Sequence, residues 1–273
     1  MRKAAASLGV LAVGLVLIAA SSSDVKPTTQ DPGPLSRFPI DSPLPELPKS
    51  LYTDGIASFS KNFKLPDPAG LDHSANPVRT WGIKTRDHSL YIGSAKHLWI
   101  RAPKEKVVEV LSDFDSYSKF FDEVKKVEVK NKEGNKWTVF WERYSPAFFI
   151  PNPKYEMVYL IENSAAKVMY RYQFKKGNSL KASDGLISVE TFGDGTLVSG
   201  IDFYDASWGL AGAIASGKIW RKSLEGGYKG DLSLKFHIEN PQWDRGRIKD
   251  EIERMLERYP IDTIQYLDVP QWK

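Results

Sequence analysis

The sequence predicts an α+β fold in which an antiparallel meander buries one face under a long helix. Three observations predict it. Six runs between Val127 and Phe203 alternate apolar and polar residues and are separated by short turns, the pattern of antiparallel strands with one wet and one apolar face. Downstream, Trp220, Leu224, Tyr228, Leu232 and Phe236 recur every four residues as a drifting helical stripe, and a sheet with an apolar face needs such a cover. The composition, 41% hydrophobic and 26% charged over 273 residues, is that of a globular protein and excludes a disordered, collagenous or multi-span membrane chain.

The elements follow in order. Met1-Arg2-Lys3 is basic, Ala4 to Ser23 is uncharged, and Ile18-Ala19-Ala20 precedes a run of serines. Residues 1–23 read as a secretory signal peptide; the alternative is an uncleaved anchor, because ~20 uncharged residues can just span a bilayer. Either reading puts the folded part outside the cytoplasm, in the periplasm or secreted. Residues 24–50 contain seven prolines, which bar helix and central strand and predict an extended linker. Residues 51–92 form an irregular N-terminal extension, with Pro66, Asp67-Pro68 and Asn76-Pro77 marking turns.

The periodic region starts with a strand over Lys96–Arg101, stopped by Ala102-Pro103. Val107, Val108, Leu111 and Phe114 then predict a short helix over 105–114, and Tyr117, Phe120 and Phe121 a second over 116–121. The strands present Val127/Val129, Trp137/Val139/Trp141, Tyr155/Met157/Tyr159/Ile161, Val168/Tyr170/Tyr172/Phe174, Ile187/Val189 and Leu197/Ile201/Phe203 on the apolar face. Turns at Glu133-Gly134-Asn135 and Gly193-Asp194-Gly195 separate four of them. Gly226, Gly227 and Gly230 weaken the long helix or let it lie close to the sheet, and Asn240-Pro241 ends it. Residues 241–273 form a charged C-terminal extension with a helix over 244–259.

This order, together with Ala102-Pro103-Lys104-Glu105-Lys106-Val107, Val110-Leu111-Ser112-Asp113-Phe114-Asp115, Tyr117, Phe120-Phe121 and Val124, resembles the START-like (SRPBCC) superfamily, in its polyketide cyclase/coenzyme Q-binding branch. Lys222-Ser223-Leu224-Glu225-Gly226-Gly227 and Glu239-Asn240-Pro241 resemble its last helix. The resemblance spans residues 93–240. It implies a helix-grip fold, a strongly curved sheet wrapped around the C-terminal helix with an apolar cavity between them. It also implies binding of lipids, sterols, quinones or polyketides, with only some branches being enzymes.

The chemistry available is narrow. With no cysteine, disulfides, thiolate zinc sites, cysteine nucleophiles and lipidated cysteines are excluded. His73, His88, His97 and His237 have no partner at ligand spacing, and nucleophile-elbow, phosphate-loop and dinucleotide motifs are missing. No metal and no cofactor is expected. The formal charge of +4 falls to +2 once Arg2 and Lys3 are removed and is spread along the chain, so nucleic acid is not an implied partner.

Aromatic residues make up 12% of the chain, and three adjacent strands point tyrosine or tryptophan inward. Such rings either fill a solid core or line a ligand cavity with a few polar groups. The cavity reading assigns Phe121, Trp137, Trp141, Arg143, Tyr155, Met157, Tyr159, Tyr170, Tyr172, Ile187, Val189, Phe203, Trp220 and Leu224 to the wall. Phe148-Phe149-Ile150, flanked by Pro146 and Pro151, is the candidate gate or membrane-touching tip. Arg143 shares the inward parity. It meets either a ligand carboxylate or phosphate, or a protein carboxylate such as Asp202.

The expected function is therefore an exported protein that sequesters or carries a hydrophobic small molecule or lipid, with transient membrane contact; the sequence points to no particular protein partner. Two alternatives stand beside it: a cyclase, dehydratase or hydrolase using Glu142, Asp184 or Asp202, and a ligand-free interaction module of the cell envelope.

Overall fold

The computed structural model describes residues 77–84, 91–144, 152–178, 183–205, 209–258 and 265–268, with backbone alone at 81–84, 91–93, 203–205, 209–223, 258 and 265–268. The signal segment, the linker, most of the N-terminal extension and the gate Phe148-Phe149-Ile150 lie outside the described residues.

Alternating residues build an open nine-stranded sheet: β1 (Val78–Lys84), β2 (Tyr91–Ile100), β3 (Val124–Glu133), β4 (Lys136–Arg143), β5 (Lys154–Asn163), β6 (Lys167–Gly177), β7 (Ser183–Phe192), β8 (Gly195–Asp205) and β9 (Gln265–Asp268). Its order is β3-β4-β5-β6-β7-β8-β2-β1-β9. The six-stranded meander β3–β8 is the expected one, and β2 returns beside β8 with Lys96 opposite Gly200 and Ser94 opposite Asp202. Two-residue turns join β3 to β4 and β7 to β8. Gly134 and Gly193 adopt φ of 58° and 61° there, the left-handed region such hairpins need.

Between β2 and β3 lie α1 (Lys104–Ser112) and a 3-10 helix over Phe114–Lys119. Pro103, at φ −60°, supplies the carbonyl that accepts the N–H of Lys106 and Val107 at 3.0 and 3.2 Å. The first helix ends at Ser112, two residues earlier than its stripe suggests, because Asp113 leaves the helical region. Phe114 still turns inward from the 3-10 helix. Then follow α2 (Gly209–Glu239) and α3 (Arg245–Arg258). Asp244 accepts the N–H of Arg247 at 2.7 Å, a side-chain cap that starts α3. Ile248 and Ile252 of α3 join Tyr228, Leu232 and Phe236 of α2 in one core cluster with the inner face of the sheet.

The structure corrects the sequence reading in three places. β1 and β9 were not expected; both are short, and β1 draws its order from pairing with β2 on one side and with β9, in parallel, on the other. The outer face is wet only along the β3 side. On β6, β7, β8 and β2 the residues Arg171, Gln173, Asp184, Leu186, Ser188, Ser199, Ile201 and His97 are also buried. On β8 the two faces are exchanged: Val198 belongs to the inner core, whereas Leu197 packs with Trp99 and Phe192 on the other side. A strand buried on both faces loses the contrast from which alternation assigns its inner side.

Candidate functional site

The side chains of the sheet and α2 do not close completely. The space between them, with its mouth, holds about 830 Å³ between atoms, of which about 80 Å³ admits the centre of a water-sized sphere. One water needs ~10–15 Å³ on that measure. Open room is thus a few waters' worth, and a larger guest needs the rings to move.

Strand alternation builds the floor. Trp141 of β4, Tyr155, Met157 and Tyr159 of β5, Tyr170 and Tyr172 of β6 and Ile187 of β7 all face the cavity. Trp141 and Tyr155 are direct cross-strand partners and stack at 6.3 Å. Tyr172 lies across β7 because position 185 is glycine: a Cβ there would fall 2.0 Å from the ring. Leu111, Phe114 and Tyr117 form one end, with the Phe114 ring 4.7 Å from Tyr159. Gly230, Asp231 and Leu234 of α2 form the roof.

The remaining predicted residues lie elsewhere. Trp137 is half-buried at the rim, its N–H donating to the Gly134 carbonyl at 3.2 Å and the Lys132 ammonium 3.8 Å above its ring. Val189 is fully buried in the core beyond the cavity, and Leu224 is buried on α2 but does not line it. The stripe through Leu224 turns away because each four-residue step overshoots a turn by ~40°. Phe203 and Trp220 have side chains outside the described residues.

A second space, holding about 580 Å³ between atoms with its mouth, opens between α2, α3 and the segment 120–124. Phe121, Val124, Arg143 and Gly230 line both spaces and divide them. Arg143 therefore sits in the partition. Its guanidinium donates to the Glu123 carboxylate and lies beside the Tyr155 hydroxyl, opposing the rise that burial imposes on that phenol. The partner of Arg143 is Glu123, not Asp202.

Asp202 belongs to a charged group at the deep end. Lys96, on the inward parity of Leu98 and Ile100, runs across Gly200, where there is no side chain to block it, and meets Asp231 Oδ1 at 2.5 Å. Ser94 donates to Asp202 Oδ1. Asp202 is pushed up to about 7: burial outweighs the help of Lys96 and Ser94, and Asp231 adds repulsion. Burial also raises Asp231 against the pull of Lys96. Tyr172 is driven well above a normal phenol by burial and then by Asp202. Tyr170 is pushed up to about 12 by burial, with the Ser112 hydroxyl bond opposing.

Of the three carboxylates considered for catalysis, Glu142 bonds to Lys125 and Asn152 outside the cavity. Asp184 occupies the strand parity opposite to Ile187, and Asp202, on the inner parity of Val198, lies near Lys96 and Asp231 without lining the cavity itself. Lys96 and Asp231 escaped the sequence reading. Their signals were a lysine at an apolar-face parity and an aspartate one residue before Leu232. Among the described residues, no three histidine or acidic side chains gather to hold a metal, and no helix is long and apolar enough to cross a membrane.

A family model described as polyketide cyclase / dehydrase and lipid transport matches residues 100–257. The STAR-related lipid transfer protein (fragment 25–204) of Xanthomonas axonopodis superposes with a TM-score of 0.51 at 13% identity, over 62% of this chain and 97% of its own. The Zhui aromatase/cyclase of Streptomyces sp. R1128 gives 0.43 at 16% identity, over 61% and 96%. The human StarD13 lipid transfer and protein localization domain gives 0.47 at 10%, over 62% and 88%. No curated protein sequence matches the chain.

Proposed function

The chain belongs to the polyketide cyclase / dehydrase and lipid transport family by a match over more than half its length, and from that premise we propose that it binds and carries an apolar, lipid-type small molecule in the cavity under α2. Its fold is the START-like helix grip. One observation carries the reading: seven side chains from four consecutive strands, five of them tyrosine or tryptophan, face a single space roofed by a helix whose Gly230 contributes no side chain. Binding is by burial. Each Å² of apolar ligand surface removed from water contributes ~25 cal/mol, so a hydrocarbon body is held without a matching hydrogen bond for every atom.

Access runs from the space between α2 and α3 across the partition of Phe121, Val124 and Arg143. The basic start and uncharged stretch of residues 1–23 support export, and transient contact with a membrane is where such a carrier collects its cargo.

Native mass spectrometry of the full chain from its source tests the reading. A co-purifying lipid is expected, and Leu234→Trp, which fills the cavity, lowers uptake of a fluorescent lipid at least tenfold. An empty protein that takes up no fluorescent lipid overturns it.

The second reading, an enzyme, is favoured by Asp202: a buried carboxyl pushed up to about 7 suits proton transfer near neutral pH. Turnover of a polyketide-type substrate that is abolished by Asp202→Asn, with binding intact, would establish it.

A further inference from the structure

We infer that the deep end of the cavity receives the hydrogen-bond-donating end of the guest, an amine best and a hydroxyl next, with the Asp231 carboxylate as acceptor and Asp202 beside it. The inference rests on the ligand-binding reading above and assigns the chemistry of the guest's polar end.

It follows from which polar valences are already taken. Arg143, the cation nearest the partition, has Glu123 and Tyr155 as neighbours, so an incoming acid would have to displace a carboxylate already in place. At the deep end Lys96, the one ammonium among the described residues there, is committed to Asp231 Oδ1 at 2.5 Å. What remains there are carboxyl oxygens. Asp231 Oδ2 and Asp202 Oδ2 are both buried and have no hydrogen-bond partner, on side chains with residue exposures of 3% and 1%. An ionised carboxylate only accepts, and a buried one is stabilised by a charged donor more than by a neutral one. Lys96 and Asp231 balance in charge, and Asp202, pushed up to about 7, adds a partly ionised carboxyl, so an ammonium is favoured there over a further carboxylate. Asp231 lines the cavity next to Gly230, where the helix leaves its approach open, and the aromatic floor lies along the path the apolar body would occupy.

The test uses the full chain and three probes with one common chain, decylamine, 1-decanol and decanoate, each displacing a cavity-bound fluorescent apolar dye at neutral pH and physiological salt. Decylamine is expected to bind at least tenfold more tightly than decanoate, with decanol between them. Asp231→Asn should reduce the amine-to-acid ratio toward one. Lys96→Met, which keeps both carboxylates and removes their cation, should raise it. The wild-type ranking alone decides the matter if either variant fails to fold. Decanoate binding as tightly as either donor, with all three displacing the dye, overturns this inference and leaves the carrier reading intact. Failure of the dye and all three probes to bind overturns the carrier reading, and this inference with it.

Discussion

At the partition between the two spaces, one guanidinium meets one carboxylate whose side chain is 26% exposed. At the deep end, one ammonium serves two carboxylates that are almost wholly buried. Both arrangements are ion pairs inside one cavity, yet they differ in two respects that matter. The partition pair is balanced in charge and reaches water, so separating it exchanges protein contacts for solvation. The deep group carries one carboxyl more than it has cations and is almost wholly buried, so separating it costs more than separating the partition pair.

The sharpest way to break that contrast is to remove the lysine. Lys96→Met leaves two buried carboxylates without a cation, and removing one partner of a buried pair costs about 3–5 kcal/mol. The double variant Lys96→Met/Asp231→Leu should recover most of that, since an apolar replacement of a buried pair is often neutral. Urea unfolding of the two singles and the double gives the coupling directly. Additive losses would show that the pair is not the unit described.

Next in size is the pH dependence. Asp202 sits at about 7 in the folded protein against an ordinary 3.8. Between those values the native state keeps a proton that the unfolded chain has released, so stability from this group is greatest below about pH 4 and is lost as pH rises toward 7. Unfolding at pH 5 and pH 8 should therefore show a more stable protein at pH 5 than Asp202→Asn shows relative to its own pH 8 value. An equal slope in the two proteins would remove Asp202 from the account.

The smallest effect belongs to the partition. Glu123→Gln should cost about 1–2 kcal/mol, because a charged hydrogen bond is weakened while solvent and Tyr155 still attend Arg143. It should also speed ligand exchange with little change in affinity, measured by stopped-flow displacement of a fluorescent lipid. A loss as large as that of Lys96→Met would erase the distinction between the two corners.

Several of these residues were legible in advance. Alternation in Tyr155–Ile161 and Val168–Phe174 set Tyr155, Tyr159, Tyr170 and Tyr172 on the cavity side, as it did Trp141 on β4. On β8 the contrast between the two faces is missing, and Val198 and Leu197 exchanged roles. Arg143 was recognised as inward, but its partner was not: the β3–β4 register sets Val124 opposite Arg143 and the Tyr144 N–H on the Glu123 carbonyl, which brings Glu123 alongside from a position outside any alternating run. Asp231 was hidden in a helix whose nearest apolar neighbours follow a different stripe.

By itself the sequence determined the order of elements, the meander with its two glycine turns, the long covering helix and the aromatic character of the inner wall. These are local consequences of side-chain periodicity and backbone sterics. Only the tertiary structure decided where charge sits inside. The grouping brings Lys96 of β2 to Asp202 and Asp231, each more than a hundred positions away from it, and no local pattern encodes such a distance: it exists because β2 returns beside β8 and α2 packs on β2.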